Sequence, residues 1–558
     1  MKKIIAGLTV ILCGMQLFPQ TAPNKYWVQF TDKQNSVYST DRPDEFLSAR
    51  SIERRERYSI VVSEQDLPVS QAYIDSLTSI GVTVLNRSKW FNAVTVYTTD
   101  TNHLIRIRQF PFVKQLKSVI RLKSIQPAND KFSLESITDL ESGTVTDTTL
   151  LRYGKASRQI GMLNGHILHN QGFQGQGMVI AVLDAGFRRV DVNHAFDSLY
   201  INSQILGGWD FVNNSPLSFA DTEHAHGAQV LSIMAGNLPS ELVGTAPKAS
   251  YYLLRTEDAP TENLVEEDNW IASAEWADSA GADLINSSLG YTTFDIPALN
   301  HTYSDMDGNT TRITIAADIA ASKGMLVVNS AGNEASIDWH YIGAPADADN
   351  ILTVGAVDSL GNYAIFSSTG PTFDGRIKPN IVAQGQLTAV VGTDGNIFRG
   401  SGTSYSSPVM CGLAACLWQT NRTLPPMIII ETIQQSASRA SNPDSLYGYG
   451  VPDFGKALFL MLGISPIKLD DESLFRVYPN PFTDHLVIDF YSHDRQEITI
   501  EVIAMTGKKL VLEKLEVGYT SINRLDINQF SELPAGMYIL RIITQSGHYE
   551  QTLIKASN

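Results

Sequence analysis

Cysteine is scarce, with three residues in 558. Cys13 sits in an apolar N-terminal run, and Cys411 and Cys416 stand five apart in a stretch of helical character. Side chains at that spacing point to different helix faces and lie too far apart to bridge. A disulfide-stapled scaffold is thereby excluded. With 43 % hydrophobic residues the chain can build cores that need no staples. Basic residues are outnumbered, 42 Lys and Arg against 58 Asp and Glu, for a formal net charge of −16. Such a chain lacks the electrostatic footprint for nucleic acid, and none is expected as a partner. Long internal repeats and low-complexity tracts are missing, which excludes a solenoid or a disordered chain. Beyond the N-terminus no apolar run is long enough to cross a bilayer, so no transmembrane segment is expected in the mature chain.

What is present divides into zones. Met1-Lys2-Lys3 precedes a mostly apolar stretch to Leu17, and polar residues follow from Gln20. This predicts a secretory signal peptide over 1–22, with bulky Leu12 before Cys13 arguing against lipidation. Residues 23–127 read as a small α+β unit. Lys25-Tyr-Trp-Val-Gln-Phe30 and Ala93-Val-Thr-Val-Tyr97 have strand character, 45–57 is charged and helix-like, and 70–80 is a helix ending at Gly81. A tract rich in Ser, Thr and Asp follows, and 128–152 reads as an exposed linker. In 153–462, short apolar runs such as Met178-Val-Ile-Ala-Val-Leu183 and Met325-Leu-Val-Val328 alternate with helical stretches such as 229–235 and 269–280. That alternation predicts an α/β unit, a parallel sheet with helices on both faces. In 474–558, alternating strands such as His485-Leu-Val-Ile-Asp-Phe490 predict a small β-sandwich.

In an open α/β sheet, functional side chains gather just past the C-terminal ends of strands. There the chain places Asp184, after one apolar run, and Asn333, after another; His226 and Ser404 each open a helix. A serine hydroxyl needs a base within hydrogen-bond reach, and the base needs an orienting partner. Ser404, His226 and Asp184 can fill those roles. The Ser404 N–H at a helix start and the Asn333 amide can bind an oxyanion. Singly these are ordinary residues: a turn Asp, a structural His, a helix-capping Ser, a turn Asn. At matching places in one α/β unit they read as a site.

The motifs in order, Val182-Leu-Asp184-Ala-Gly, His226-Gly-Ala-Gln-Val, Gly244-Thr-Ala-Pro-Lys-Ala249, Ile285-Asn-Ser-Ser-Leu-Gly290, Ser330-Ala-Gly-Asn333 and Gly402-Thr-Ser404-Tyr-Ser-Ser-Pro408, resemble the subtilase (peptidase S8) family of serine endopeptidases. The resemblance implies a subtilisin-like fold over 153–462. It implies Ser404 as nucleophile, His226 as general base and acid, Asp184 as its orienting partner and Asn333 in the oxyanion hole. It further implies Ser288, Leu289, Gly290, Ser330, Ala331 and Gly332 as the substrate cleft. Three departures stand out: Ala185 where the family has Thr or Ser, Ala228-Gln229 for Thr-His, and Tyr405-Ser406 for Met-Ala. No cofactor is required for this chemistry. The family often binds structural calcium, but the oxygen-rich loop Asp305-Met-Asp307-Gly-Asn309 lacks EF-hand spacing and reads as a solvated turn, so no metal ligand is assigned.

The 23–127 unit resembles a subtilase propeptide, an inhibitor and foldase, with autocleavage expected in the linker. Val477-Tyr-Pro-Asn-Pro481, Thr506-Gly507 and Leu533-Pro-Ala-Gly-Met-Tyr-Ile-Leu540 resemble a type IX secretion C-terminal sorting domain. This implies a bacterium of the Bacteroidetes type and a secreted or cell-surface protein that passes through the periplasm. The expected partners are protein or peptide substrates, the chain's own propeptide and the type IX machinery. The alternative is an inactive subtilase fold displayed for binding or adhesion, and the complete set of four residues speaks against it. An esterase is excluded because that fold orders nucleophile, acid, histidine, whereas the order here is Asp184, His226, Ser404. A histidine base must be neutral, so activity should fall below about pH 6 to 7.

Overall fold

The computed structural model describes residues 24–34, 36–120, 131–132, 136–138, 152–461, 467–468 and most of 473–556. The expected signal peptide at 1–22 and most of the 128–152 linker lie outside the described residues.

An eight-stranded sheet forms the centre of the 153–462 unit. Its spatial order is Ile381–Gln384, Leu352–Val357, Leu326–Ser330, Leu284–Ser287, Val179–Asp184, Ser250–Arg255, Ile205–Asp210 and Ser215–Pro216. All neighbours pair in parallel except the last two, which are antiparallel. The sequence reason is visible in Val179–Asp184, every residue of which is buried. Successive side chains of a strand point to opposite faces. Ile180 and Val182 enter a core with helices His226–Ala235 and Thr403–Gln419. Val179, Ala181 and Leu183 enter a second core with helices Val265–Ala280 and Arg312–Ser322. Both faces need apolar cover, so the strand is a continuous hydrophobic run. Cys411 and Cys416 are both free and buried in the Thr403–Gln419 helix.

The N-terminal unit is a four-stranded antiparallel sheet, in the order Thr83–Ser88, Ala93–Tyr97, Lys25–Phe30 and Val113–Ile120. Its core is closed by Ile74 and Leu77 of helix Gln71–Ser79 and Ile107 of helix Thr101–Gln109. Helix Ala49–Arg57 packs instead on helix Val265–Ala280 of the central unit. Arg54 and Arg55, each 1 % exposed, are buried there.

At the C-terminal end two four-stranded sheets face each other. Phe475, Ile488 and Phe490 of one meet Ile500, Val502 and Leu540 of the other in one core, the sandwich that the alternation predicts. It abuts the central unit at Tyr491, whose hydroxyl bonds Asp453.

The 128–152 linker holds one described strand. Its polar composition reads as exposed chain, yet Ser136–Thr138 pairs antiparallel with strand Ile397–Ser401. Strand pairing uses backbone groups, and a polar sequence does not forbid it.

Candidate active site

Strand Val179–Asp184 ends on Asp184, which is fully buried. Its Oδ1 accepts from the Ala185 N–H at 2.7 Å and from His226 Nδ1 at 2.7 Å. The carboxylate therefore fixes the proton on Nδ1 and leaves Nε2 as the basic end of the ring. His226 is the first residue of helix His226–Ala235 and only 2 % exposed. The approach depends on Gly227: a Cβ there would lie 2.5 Å from Gly186 O and 2.9 Å from Asp184 Cβ. Asp184 Oδ2 is buried and, among the described residues, has no hydrogen-bond partner. Ala185, where the family pattern has Thr or Ser, has no side-chain donor to offer.

Ser404 lies in the first turn of helix Thr403–Gln419 and is 4 % exposed. Its hydroxyl donates to Ser288 O at 3.2 Å, and the Ser288 hydroxyl donates to Ser404 O at 2.9 Å. Asn333 faces the same helix start. Its carboxamide oxygen accepts from Thr403 N at 2.8 Å and from Thr403 Oγ1 at 3.1 Å. With the oxygen so held, the NH2 is the end that can donate into the cleft. Gly332, at φ +107°, lets the chain turn into Asn333 in a conformation side chains resist.

The two helix-borne departures from the family pattern touch each other. Tyr405 OH donates to Gln229 Oε1 at 2.9 Å, tying the Ser404 helix to the His226 helix. Gly400 leaves the space, since a Cβ there would meet the Tyr405 ring at 2.6 Å.

A cleft of about 470 Å³ runs beside Ser404 and is lined by Ser288, Leu289, Gly290, Ser330, Gly332 and Asn333 among others. Ala331 is the exception among the expected cleft residues. Its methyl packs with Ile342 and Ala346 in a small buried cluster. Sequence reasoning missed what else lines the cleft. Phe132 stacks on the His226 ring, with centroids 4.2 Å apart and planes at 26°. Beside it, Lys131 Nζ lies 2.7 Å from Glu257, 2.8 Å from Glu266 and 3.3 Å from Glu262. Burial pushes Glu262 up to about 7 and Glu266 well above the usual carboxylate range, against the pull of Lys131. Burial opposes the Lys131 charge, but the three carboxylates outweigh it and raise its pKa. Lys131 is 126 residues or more from these carboxylates in sequence, and no local motif announces the pairing. The Asp305–Asn309 loop is satisfied from within: Asp305 accepts from Thr302, and Asp307 accepts from Asn309 and Thr310.

Comparison with known proteins bears on all three units. A model of the subtilase family matches residues 175–450. A peptidase S8 propeptide domain of Bacteroidota matches 25–134, and a secretion system C-terminal sorting domain matches 476–556. Subtilisin E of Bacillus subtilis (strain 168) is 29 % identical over 295 residues, 52 % of this chain and 68 % of that protein. The thermophilic serine proteinase of Bacillus sp. (strain AK1) is 31 % identical over 279 residues, 49 % of this chain and 60 % of its own. A crystal structure of MycP1 with its N-terminal propeptide removed is 25 % identical and covers 54 % of this chain and 96 % of its own, with a TM-score of 0.43.

Proposed function

We propose that this chain, a serine endopeptidase with a subtilase domain and a sorting domain that marks it for secretion or the cell surface, cleaves peptide bonds through an acyl-enzyme on Ser404. Ser404 Oγ attacks the scissile carbonyl while His226 Nε2 takes its proton, then returns it to the leaving amine. Asp184 holds the tautomer and stabilises the imidazolium. The Asn333 NH2 and the Ser404 N–H bind the oxyanion. The 288–290 and 330–332 segments hold the substrate as an added strand, with Ala331 acting from behind through its backbone. The chemistry calls for no cofactor.

The observation that carries this reading is the 2.7 Å bond between Asp184 Oδ1 and His226 Nδ1, beside a cleft that Ser404 lines. The Ser404 hydroxyl rests on Ser288 O, so the attack requires a rotation about its χ1 towards His226. Apo catalytic bonds commonly tighten only when substrate binds.

The flanking segments follow the same reading. Residues 1–22 direct export to the periplasm and are removed; 23–127 assist folding and block the cleft; cleavage within 128–152 frees the catalytic unit at 153–462. The unit at 474–558 engages the type IX machinery. Phe132 on the His226 ring and Lys131 in the cleft support a blocked precursor. The test is casein hydrolysis by the processed protein and by Ser404→Ala. Turnover should vanish in the variant. Equal turnover by both would place the nucleophile elsewhere.

A further inference from the structure

Three carboxylates converge where the cleft leaves His226. Lys131, from the segment before the catalytic unit, puts its ammonium among Glu257, Glu262 and Glu266 at 2.7, 3.3 and 2.8 Å. An ammonium has three donors, and here each faces a different carboxylate. The carboxylates belong to the catalytic unit and their acceptor atoms all lie within 4.8 Å of one another. Like charges so placed and so buried repel, and a cation is what makes the arrangement tolerable.

The pocket is built independently of Lys131. Glu257 Oε1 accepts from Thr256 Oγ1 at 2.9 Å and from the Tyr291 hydroxyl. Glu266 accepts from the N–H groups of Asp258 and Asn263 at 2.9 and 2.7 Å, at the start of helix Val265–Ala280. Glu262 Oε1 is buried and has no hydrogen-bond partner among the described residues. Removing Lys131 therefore leaves Glu257 and Glu266 held in place as acceptors.

The pocket also lies on the peptide path. Phe132, the next residue, stacks on His226, and the Lys131 N–H donates to Ala259 O at 3.2 Å. Lys131 and Phe132 stand in a turn, with Lys131 Nζ 5.9 Å from the Phe132 ring centroid, so the side chain laid on His226 and the one among the carboxylates are immediate neighbours. Further on, Ser136–Thr138 pairs with the strand that ends three residues before Ser404.

We propose that Glu257, Glu262 and Glu266 form a specificity pocket for a lysine or arginine side chain of the substrate, which Lys131 fills until maturation. This rests on the reading of the chain as an endopeptidase that releases its own propeptide. It gives the enzyme a preference for peptides carrying a basic residue a few positions before the cut.

The test uses the processed full-length enzyme and quenched fluorogenic peptides that differ only by Lys, Gln or Glu at each of the four positions before the cut. At one position Lys should raise kcat/KM over Gln by about 10- to 100-fold, the range of a charge-assisted hydrogen bond, and Glu should fall below Gln. In Glu257→Gln/Glu262→Gln the Lys-to-Gln ratio should drop towards one, and a fluorophosphonate labelling rate on each variant separates lost preference from lost folding. Equal cleavage of Lys, Gln and Glu peptides at every position overturns the pocket while the endopeptidase reading stands. Equal cleavage combined with a rate that follows added calcium also overturns it, assigning the carboxylates to a metal. No cleavage and no labelling by folded, processed protein overturns both.

Discussion

Two buried ionic clusters join the N-terminal segments to the catalytic unit, and they carry opposite excess charge. On helix Val265–Ala280 one carboxylate, Asp278, faces three cations: Arg54 at 2.6 Å, Arg55 at 3.0 Å and Lys89 at 2.9 Å. In the cleft one cation, Lys131, faces three carboxylates. The difference lies in what holds the single charge. Asp278 is fixed in the catalytic unit, and its partners come from the folded propeptide; Glu275 of the same helix also accepts from Ser88 Oγ, Lys89 N and Trp90 N at 2.6, 2.6 and 3.0 Å. Lys131 comes from a short segment, and on the proposed maturation its partners stay in the catalytic unit while that segment leaves. The first cluster suits a lasting dock and the second an exchangeable occupant.

The comparison can be broken at either end. Asp278→Ala takes the carboxylate from Arg54 and Lys89 and leaves Arg55 paired with Asp66, and breaking one partner out of a buried ion cluster costs about 3–5 kcal/mol. The cleaved propeptide should then bind the enzyme at least about 100-fold more weakly, read as its inhibition constant in trans. An unchanged constant would remove Asp278 from the dock. Lys131→Gln should have a smaller effect, about 1–3 kcal/mol, because the cleft segment is also held by Phe132 and by strand pairing. It should shorten the lag before activity appears; a lengthened lag would contradict an exchangeable occupant.

Acid should act on the dock in a defined direction. Burial opposes charge on Asp278, but Lys89, Arg54 and Arg55 outweigh it and hold its carboxyl well below the usual range. A depressed carboxylate contributes fully above its free value, about pH 4, and loses its contribution as pH falls through its bound value. Propeptide retention on gel filtration should therefore hold down to about pH 4 and weaken below it, with a shallower decline in Asp278→Asn. The smallest effect should come from Ala185→Ser, which offers a donor near the unpartnered Asp184 Oδ2. A gain of about 0.5–1.5 kcal/mol in stability, measured by denaturant unfolding of the processed enzyme, is expected.

The same contrast separates what was legible in the sequence from what was not. Val179–Asp184 declared itself because a strand buried on both faces must be apolar throughout. Asp184, His226, Asn333 and Ser404 could be read from motifs, since each is fixed by its own strand end or helix start. The 45–57 helix read as charged, but nothing in its own sequence says that Arg54 and Arg55 are buried; Asp278, more than 220 residues away, pairs with both, and Asp66 pairs with Arg55. The polar linker likewise concealed Phe132 and Lys131, whose roles depend on partners at His226 and on the 257–266 segment. Gln229 and Tyr405 looked like two separate departures and form one hydrogen bond. Local physics was readable; pairing of distant charges was not.

The central claim is that Ser404 is the nucleophile of a working endopeptidase. Its most direct test is fluorophosphonate labelling of the processed protein, with the modified residue located by peptide mass spectrometry. The account predicts a single adduct on the peptide containing Ser404, lost in both Ser404→Ala and His226→Ala. An adduct on another serine, or labelling that survives in Ser404→Ala, would contradict it.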